Sequence, residues 1–261
     1  MTRDRPVYLM LWPCAVLIAA AISTQCGGSS EKTLSNDAAK SASPVDPATA
    51  GALSGTVVLE GTPPAATVIR LDGDPTCAKL NGSSERTTDF LVMGENNSLQ
   101  NVFIYVKEGV ERLTFPAPAD PVVLDQQQCR YVPHVLGIQV GQPLAIRNSD
   151  PLLHNVRADS AINQPFNLGQ PIQGMTMTRT FTTREIMVPF KCDVHAWMSA
   201  FIGVLDHPFH AVSDGSGRFS LAGLPPGSYT IEAWHEKLGT QTQQVTIGPN
   251  ESKTLSFAFK I

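Results

Sequence analysis

Cys192-Asp193-Val194-His195-Ala196-Trp197-Met198, with Asp150-Pro151-Leu152-Leu153-His154-Asn155 upstream of it, is the stretch on which the reading of this chain turns. It offers one thiolate, two imidazoles and one thioether. A soft thiolate with two imidazoles and a weak axial thioether is the ligand set that suits copper in electron-transfer sites. The Cys-x2-His-x2-Met spacing also carries a fold requirement. One short loop between two strands must aim three side chains at a point, while the fourth, His154, arrives from a neighbouring strand. Taken singly, each residue has a plainer explanation: Cys192 as a small buried hydrophobe, Met198 as a gap filler, the histidines as satisfied core or surface residues. Four ligand types in one spacing, flanked by strand-like sequence, favour a metal site. Zinc is the competing metal, but it prefers several Cys and His ligands and rarely takes a thioether.

From Gly51 onward the chain consists of short runs of Val, Ile, Leu, Phe and Tyr punctuated by Gly, Pro, Asn and Asp, the pattern of strands and turns. Gly55-Thr56-Val57-Val58-Leu59, Asn101-Val102-Phe103-Ile104-Tyr105-Val106, Thr178-Arg179-Thr180-Phe181 and Phe201-Ile202-Gly203-Val204-Leu205 are examples. No long helical period is present. The expectation is an all-β protein, a Greek-key sandwich carrying its site at one end.

On these residues the chain resembles a cupredoxin, and its loop spacing is similar to that of amicyanin; the resemblance covers roughly 99–206. It implies that His154 is the first histidine ligand, Cys192 the thiolate, His195 the second histidine and Met198 the axial ligand of one copper ion. It further implies that Asn155 braces the two ligand-bearing segments. Ala196-Trp197 departs from the family pattern, which has a proline and a phenylalanine there. The resemblance also implies single-electron transfer to a protein redox partner, with the ring edge of His195 facing solvent as the electron port and Trp197 and Phe201 forming an apolar docking patch beside it.

Arg3 and Arg5 precede an apolar run at 7–22, short for a membrane span and followed by Ser, Gln and Gly, as in a secretory signal. Cleavage after Ala19-Ala20-Ala21 and lipid attachment at Cys26 are both open. The lipoprotein reading is preferred, although Gln25 departs from the small residue usual there. The expectation is an exported, membrane-anchored protein of the periplasm or cell surface. Residues 27–50 have no aromatic and almost no branched apolar side chains and read as a disordered tether. Of five cysteines, Cys14 lies in the signal, Cys26 is the lipid candidate and Cys192 the metal candidate. Cys77 and Cys129 remain, to pair as a disulfide in an oxidising compartment or to stay as buried thiols.

Ala211 to Leu221, with Asp214-Gly215-Ser216-Gly217 at its turn, and Leu224-Pro225-Pro226-Gly227-Ser228-Tyr229 resemble a carboxypeptidase regulatory-like module of transthyretin topology. That resemblance implies a small non-catalytic β-sandwich. The stretch 207–261 is short for such a sandwich, and Ser54-Gly55-Thr56-Val57-Val58-Leu59-Glu60-Gly61 resembles its opening strand. An insertion of the cupredoxin into this module is one resulting expectation. The division expected is 1–26 signal, 27–50 linker, 51–75 a strand that can belong to the C-terminal module, 76–206 the cupredoxin-like domain and 207–261 the regulatory-like module. Two-module proteins of this kind resemble methylamine utilization-type periplasmic proteins.

Six histidines leave four beyond His154 and His195, too few for a multicopper oxidase. His207 and His210 lack a third ligand nearby in sequence, and His134 and His235 read as structural. No Gly-x-Ser-x-Gly elbow, phosphate loop or His-Glu-x-x-His motif is present. A net charge of −4 gives no footprint for nucleic acid. The expectation is a non-enzymatic electron carrier. The alternatives are a non-redox adhesion or carbohydrate-contacting surface protein, and a copper storage or delivery protein.

Overall fold

The computed structural model describes residues 45–261, so the signal, Cys26 and most of the tether lie outside the described residues. In chain order the elements are β1 (Gly51–Glu60), β2 (Val68–Arg70), helix α1 (Pro75–Asn81), β3 (Glu85–Thr87), a 3-10 turn (Glu95–Asn97), β4 (Phe103–Glu108), β5 (Val122–Gln126), β6 (Tyr131–Val132), β7 (Val135–Gln139), β8 (Pro143–Asn148) and β9 (His154–Ala158). There follow β10 (Phe166–Gln170), β11 (Thr176–Thr180), β12 (Glu185–Lys191), β13 (Ser199–Leu205), β14 (His210–Val212), β15 (Arg218–Leu224), β16 (Gly227–His235), β17 (Gly239–Ile247) and β18 (Ser252–Lys260). The protein is all-β apart from short helical turns, as its composition of short apolar runs requires.

Two sandwiches result. In one, the sheet β15-β1-β18 and the sheet β14-β4-β16-β17 share a core that includes Leu53, Val57 and Leu59 of β1, Ile104 of β4, Ile231 of β16 and Phe257 of β18. Alternate residues of β1 are buried along its whole length, the period-2 pattern of a strand with one face on the core. In the other, the sheets β10-β9-β12-β13-β7 and β11-β8-β5-β6 enclose Leu124, Ile138, Ile146, Val156, Phe190 and Ile202.

The second sandwich, β5 to β13, is contiguous and lies between β4 and β14 of the first. Those two strands are paired neighbours, His210 opposite Tyr105 and Val212 opposite Phe103. β1 pairs antiparallel with β15 and parallel with β18, both strands of the C-terminal module. β4 lies in the same sandwich, which departs from the 76–206 division: Phe103, Ile104 and Tyr105 pair across β4 with β14 and β16. The tether also ends earlier than 50. Asp46 caps a turn through its side chain to Ala48 N–H and its carbonyl to Ala50 N–H, and Asn250 N–H donates to Thr49 O.

The two sandwiches meet at a glycine pair. Gly137 of β7 lies opposite Gly203 of β13, and a Cβ on Gly203 would stand 2.4 Å from the Phe103 ring, one on Gly137 2.2 Å from the His210 ring. The missing side chains let the sheet of one sandwich rest on aromatic rings of the other. Phe103, Tyr105, Val135, Met187 and Leu205 form the buried part of this joint, with Phe201 and Trp234 at its margin.

Between β1 and β4 the chain leaves its own sandwich. There α1 starts at an Asp74 N-cap with Pro75 at its first position and stops at Gly82 in the left-handed region, the punctuation that short helices use. Cys77 of α1 is completely buried in the core of the inserted sandwich, where it forms a disulfide with Cys129. The expected cysteine pair is therefore bonded.

Candidate metal centre

His154 opens β9 and Cys192 follows β12 directly. These strands are adjacent, Lys191 lying opposite Arg157, so the two ligand-type residues start side by side. The loop after Cys192 closes on itself: Lys191 pairs with Ser199, Cys192 N–H reaches Met198 O at 3.3 Å and Met198 N–H donates to His195 O at 2.9 Å. Asn155 ties the segments together. Its Oδ1 accepts from Asp193 N–H at 3.0 Å and its amide donates to Leu168 O and to Asn167 Oδ1. Asp193 is held further by Arg157 at 2.6 Å and Asn167 at 2.8 Å.

The structure brings together His154, Cys192 and His195, all buried, with one ligand atom of each within 4.8 Å of the others. The two Nδ1 atoms are 3.1 Å apart, and Cys192 Sγ is 3.8 Å from His195 Nδ1. Met198 is buried in the same core.

Each imidazole is turned by a carboxylate. His154 Nε2 donates to Asp150 Oδ2 at 2.8 Å, and His195 Nε2 donates to Asp74 Oδ2 at 3.0 Å. Neither aspartate was assigned a role from the sequence. Asp150 also accepts from the N–H groups of Gln128 and Cys129, at 2.7 Å each. Asp74 also accepts from those of Thr76 and Cys77, at 2.9 and 3.1 Å. Fully buried Asn148 shapes the loop before His154, accepting from Asp150 N–H and donating to Leu152 O and Gln170 O.

Proton placement follows from these partners. A carboxylate only accepts, so the proton of each neutral ring sits on Nε2 and leaves the Nδ1 lone pair facing inward. Two inward lone pairs in contact cannot bond to each other. Burial opposes ionisation of the Cys192 thiol, but the neighbouring His154 and His195 side chains and the N–H groups of Asn155 and His195 outweigh it and bring its pKa down to about 6. Burial also opposes protonation of His154 and His195, and their carboxylate and thiolate neighbours reverse that and raise both. The donor set thus converges as a pocket of electron pairs that a cation would satisfy, and one thiolate with two imidazoles fits copper.

Two expected features differ. His195 does not face solvent: it is 2 % exposed, because α1 lies over its outer edge with Asp74 on Nε2. Trp197 and Phe201 do not form one patch. The Trp197 ring lies 5.1 Å from that of His195, and its Nε1–H donates to Cys129 O at 3.1 Å, fastening it to the disulfide segment. Phe201 points to the other side of β13, with Ala200 and Ile202 facing the core, and its ring lies tilted 5.1 Å from that of Trp234 at the joint between sandwiches.

His207 and His134 have structural partners. His207 donates through Nε2 to Val106 O at 2.9 Å, and burial lowers its pKa to about 4. His134 bonds Ser199 O and Glu236. Among the described residues, the clusters of His, Cys and Asp donor atoms with metal-binding proximity all surround the 192–198 loop, and those other than His154-Cys192-His195 use disulfide sulfurs.

The family model of the carboxypeptidase regulatory-like domain matches residues 200–260. That range begins in β13 of the inserted sandwich and covers β14 to β18, so β1 and β4 complete the module from outside it. A comparison with curated proteins finds no match. Among solved structures, the chain is similar to the Cu-containing nitrite reductase from Thermus scotoductus SA-01, with 22 % identity and a TM-score of 0.32 over 36 % of this chain and 26 % of that one. It therefore spans about a quarter of that protein. It is also similar to the oxidized state of an amicyanin mutant, with 22 % identity and a TM-score of 0.29 over 32 % of this chain and 81 % of that one. A purple cupredoxin from Nitrosopumilus maritimus gives 20 % identity and a TM-score of 0.28 over 33 % and 99 %.

Proposed function

We propose that the protein carries single electrons between protein partners without catalysing a reaction of its own, using one copper ion that Cys192, His154 and His195 would hold with Met198 as a further thioether contact. Copper held there supplies a one-electron Cu(I)/Cu(II) couple. The observation that carries this reading is the 3.1 Å approach of the two Nδ1 atoms beside the buried Cys192 sulfur, with both outer nitrogens committed to carboxylates. Imidazoles held at their outer nitrogens by carboxylates cannot rearrange easily, so the donor atoms are placed in advance of the ion.

The Cys77–Cys129 disulfide supports placement in an oxidising, exported compartment. Attachment to the membrane through Cys26 and delivery by residues 1–25 belong to the same reading.

The test is the optical and spin-resonance spectrum of the protein loaded with Cu(II), beside Cys192→Ala. An intense thiolate-to-copper band that the substitution abolishes, together with a reversible one-electron wave, supports the proposal. A colourless protein without copper affinity overturns it. Tight Cu(I) binding with no accessible Cu(II) state points instead to copper delivery.

A further inference from the structure

The group that orients His195 comes from outside the sandwich that holds the metal loop. Asp74 precedes α1, in the excursion between β1 and β4 of the other sandwich, and lies far from His195 in sequence. Its two oxygens are divided. Oδ1 caps the helix through Thr76 N–H and Cys77 N–H, and Oδ2 accepts from His195 Nε2 at 3.0 Å. The next residues lock it in position: Cys77 is bonded to Cys129, and Asn81 Nδ2 donates to Gln128 O at 3.0 Å. Trp197 closes the same side by donating to Cys129 O.

We infer that Asp74 is a positioning residue for His195: it fixes the imidazole with Nδ1 inward, adds electron density to the ring, and covers the edge through which a partner would otherwise touch the ligand. This rests on the copper reading above. A carboxylate on the far nitrogen of a ligand histidine sets its tautomer and raises its basicity. The added negative charge favours Cu(II) over Cu(I), so removing it raises the potential. Because α1 covers the His195 edge, electrons reach the site by a surface other than that ring.

The helix-capping role and the histidine contact can be separated. Ser is as good an N-cap as Asp, and its short hydroxyl reaches the helix N–H groups but not His195. Asn fills the same volume and caps the helix as well with its oxygen, which turns its amide N–H toward Nε2 and disfavours the tautomer that carries the Nε2 proton. Asp74→Ser and Asp74→Asn should both fold with the disulfide formed, as counted by titration of free thiols, with Asp72→Asn as a neighbouring control.

The first readout uses the metal-free protein. The wild type should show a His195 Nε2–H proton resonance protected from exchange with water, and both variants should lose it. The second uses the copper-loaded protein, where each variant should shift the Cu(I)-to-Cu(II) affinity ratio about tenfold toward Cu(I), or about 59 mV for a one-electron couple. A protected resonance and an unchanged potential in both variants would overturn the inference. If the protein takes up no copper, the copper reading fails and the proton resonance alone decides whether Asp74 positions His195.

Discussion

Cys77 and Cys129 are joined by a disulfide, and the N–H of each is bound by a carboxylate that also receives a buried histidine: Asp74 for Cys77 and His195, Asp150 for Cys129 and His154. The two orienting carboxylates are thereby linked through one covalent bridge.

Replacing both cysteines, as Cys77→Ser with Cys129→Ser, should therefore act on stability and site together. A loop closed over a sequence separation of 52 residues corresponds to about 4 kcal/mol of stabilisation in the chain-entropy account. Urea unfolding should show a loss of that order, and competition with a Cu(I) chelator should show copper affinity lowered about tenfold. Unchanged affinity would mean that the carboxylates hold their places without the bridge.

Glu185 gives a pH-dependent contribution away from the His154-Cys192-His195 cluster. Burial opposes its ionisation, but it accepts from Ser160 Oγ and from Ala161 and Asn163, which lowers its pKa from 4.5 to about 2. A carboxyl lowered on folding stabilises the native state above its unfolded pKa, and the contribution vanishes as pH falls through the folded value. Its size is on the order of 3 kcal/mol. Glu185→Gln should be less stable than wild type at pH 7 by up to about that amount, with the gap closing by about pH 2. A gap independent of pH would locate the effect in packing rather than charge.

At the joint, Gly203→Ala sets a methyl against the Phe103 ring and Gly137→Ala sets one against His210. Overpacking of this kind costs about 1–3 kcal/mol. Calorimetry should show a lower melting temperature for each, with the transitions of the two sandwiches drawing apart. A single unshifted transition would mean that the joint gives way without cost.

Trp197 lies beside His195 and is held by Cys129 O. Cu(II) binding should quench a large part of the tryptophan emission, and Trp197→Phe should remove most of that change. The same substitution should cost about 1 kcal/mol for the lost hydrogen bond. Equal quenching in both proteins would place the ion elsewhere.

The all-β class could be read from the alternation of apolar residues in stretches such as β1 and β13, because a half-buried strand writes its two faces into successive positions. Cys192 and His195 could be read because a tight loop forces ligand types into close sequence spacing, and His154 because a resembling Asp-to-Asn segment precedes that loop. Asp74 could not. Its Asp-Pro pair is a helix-start signal, yet nothing local records that the helix packs beside the 192–198 loop. Asp150 sits four residues before His154, near enough to notice, but on a non-helical segment that spacing does not imply contact. Phe201 was misplaced because the side of β13 it occupies depends on β7 and on the other sandwich, which the strand's own sequence does not name.

The nesting of one sandwich within the other also sets an order of assembly. β1 waits for β18, through pairs such as Ala52 with Ser252, whereas β5 to β13 find all their sheet partners among themselves. Closing long loops before any contact rewards them is slow, so the inserted unit is the part that can form first as the chain emerges. Once formed, it holds residues on either side of it close together and presents β4 to β14 as neighbours. This topology lets the sandwich of the 192–198 loop serve as a folding template for the module that encloses it in sequence.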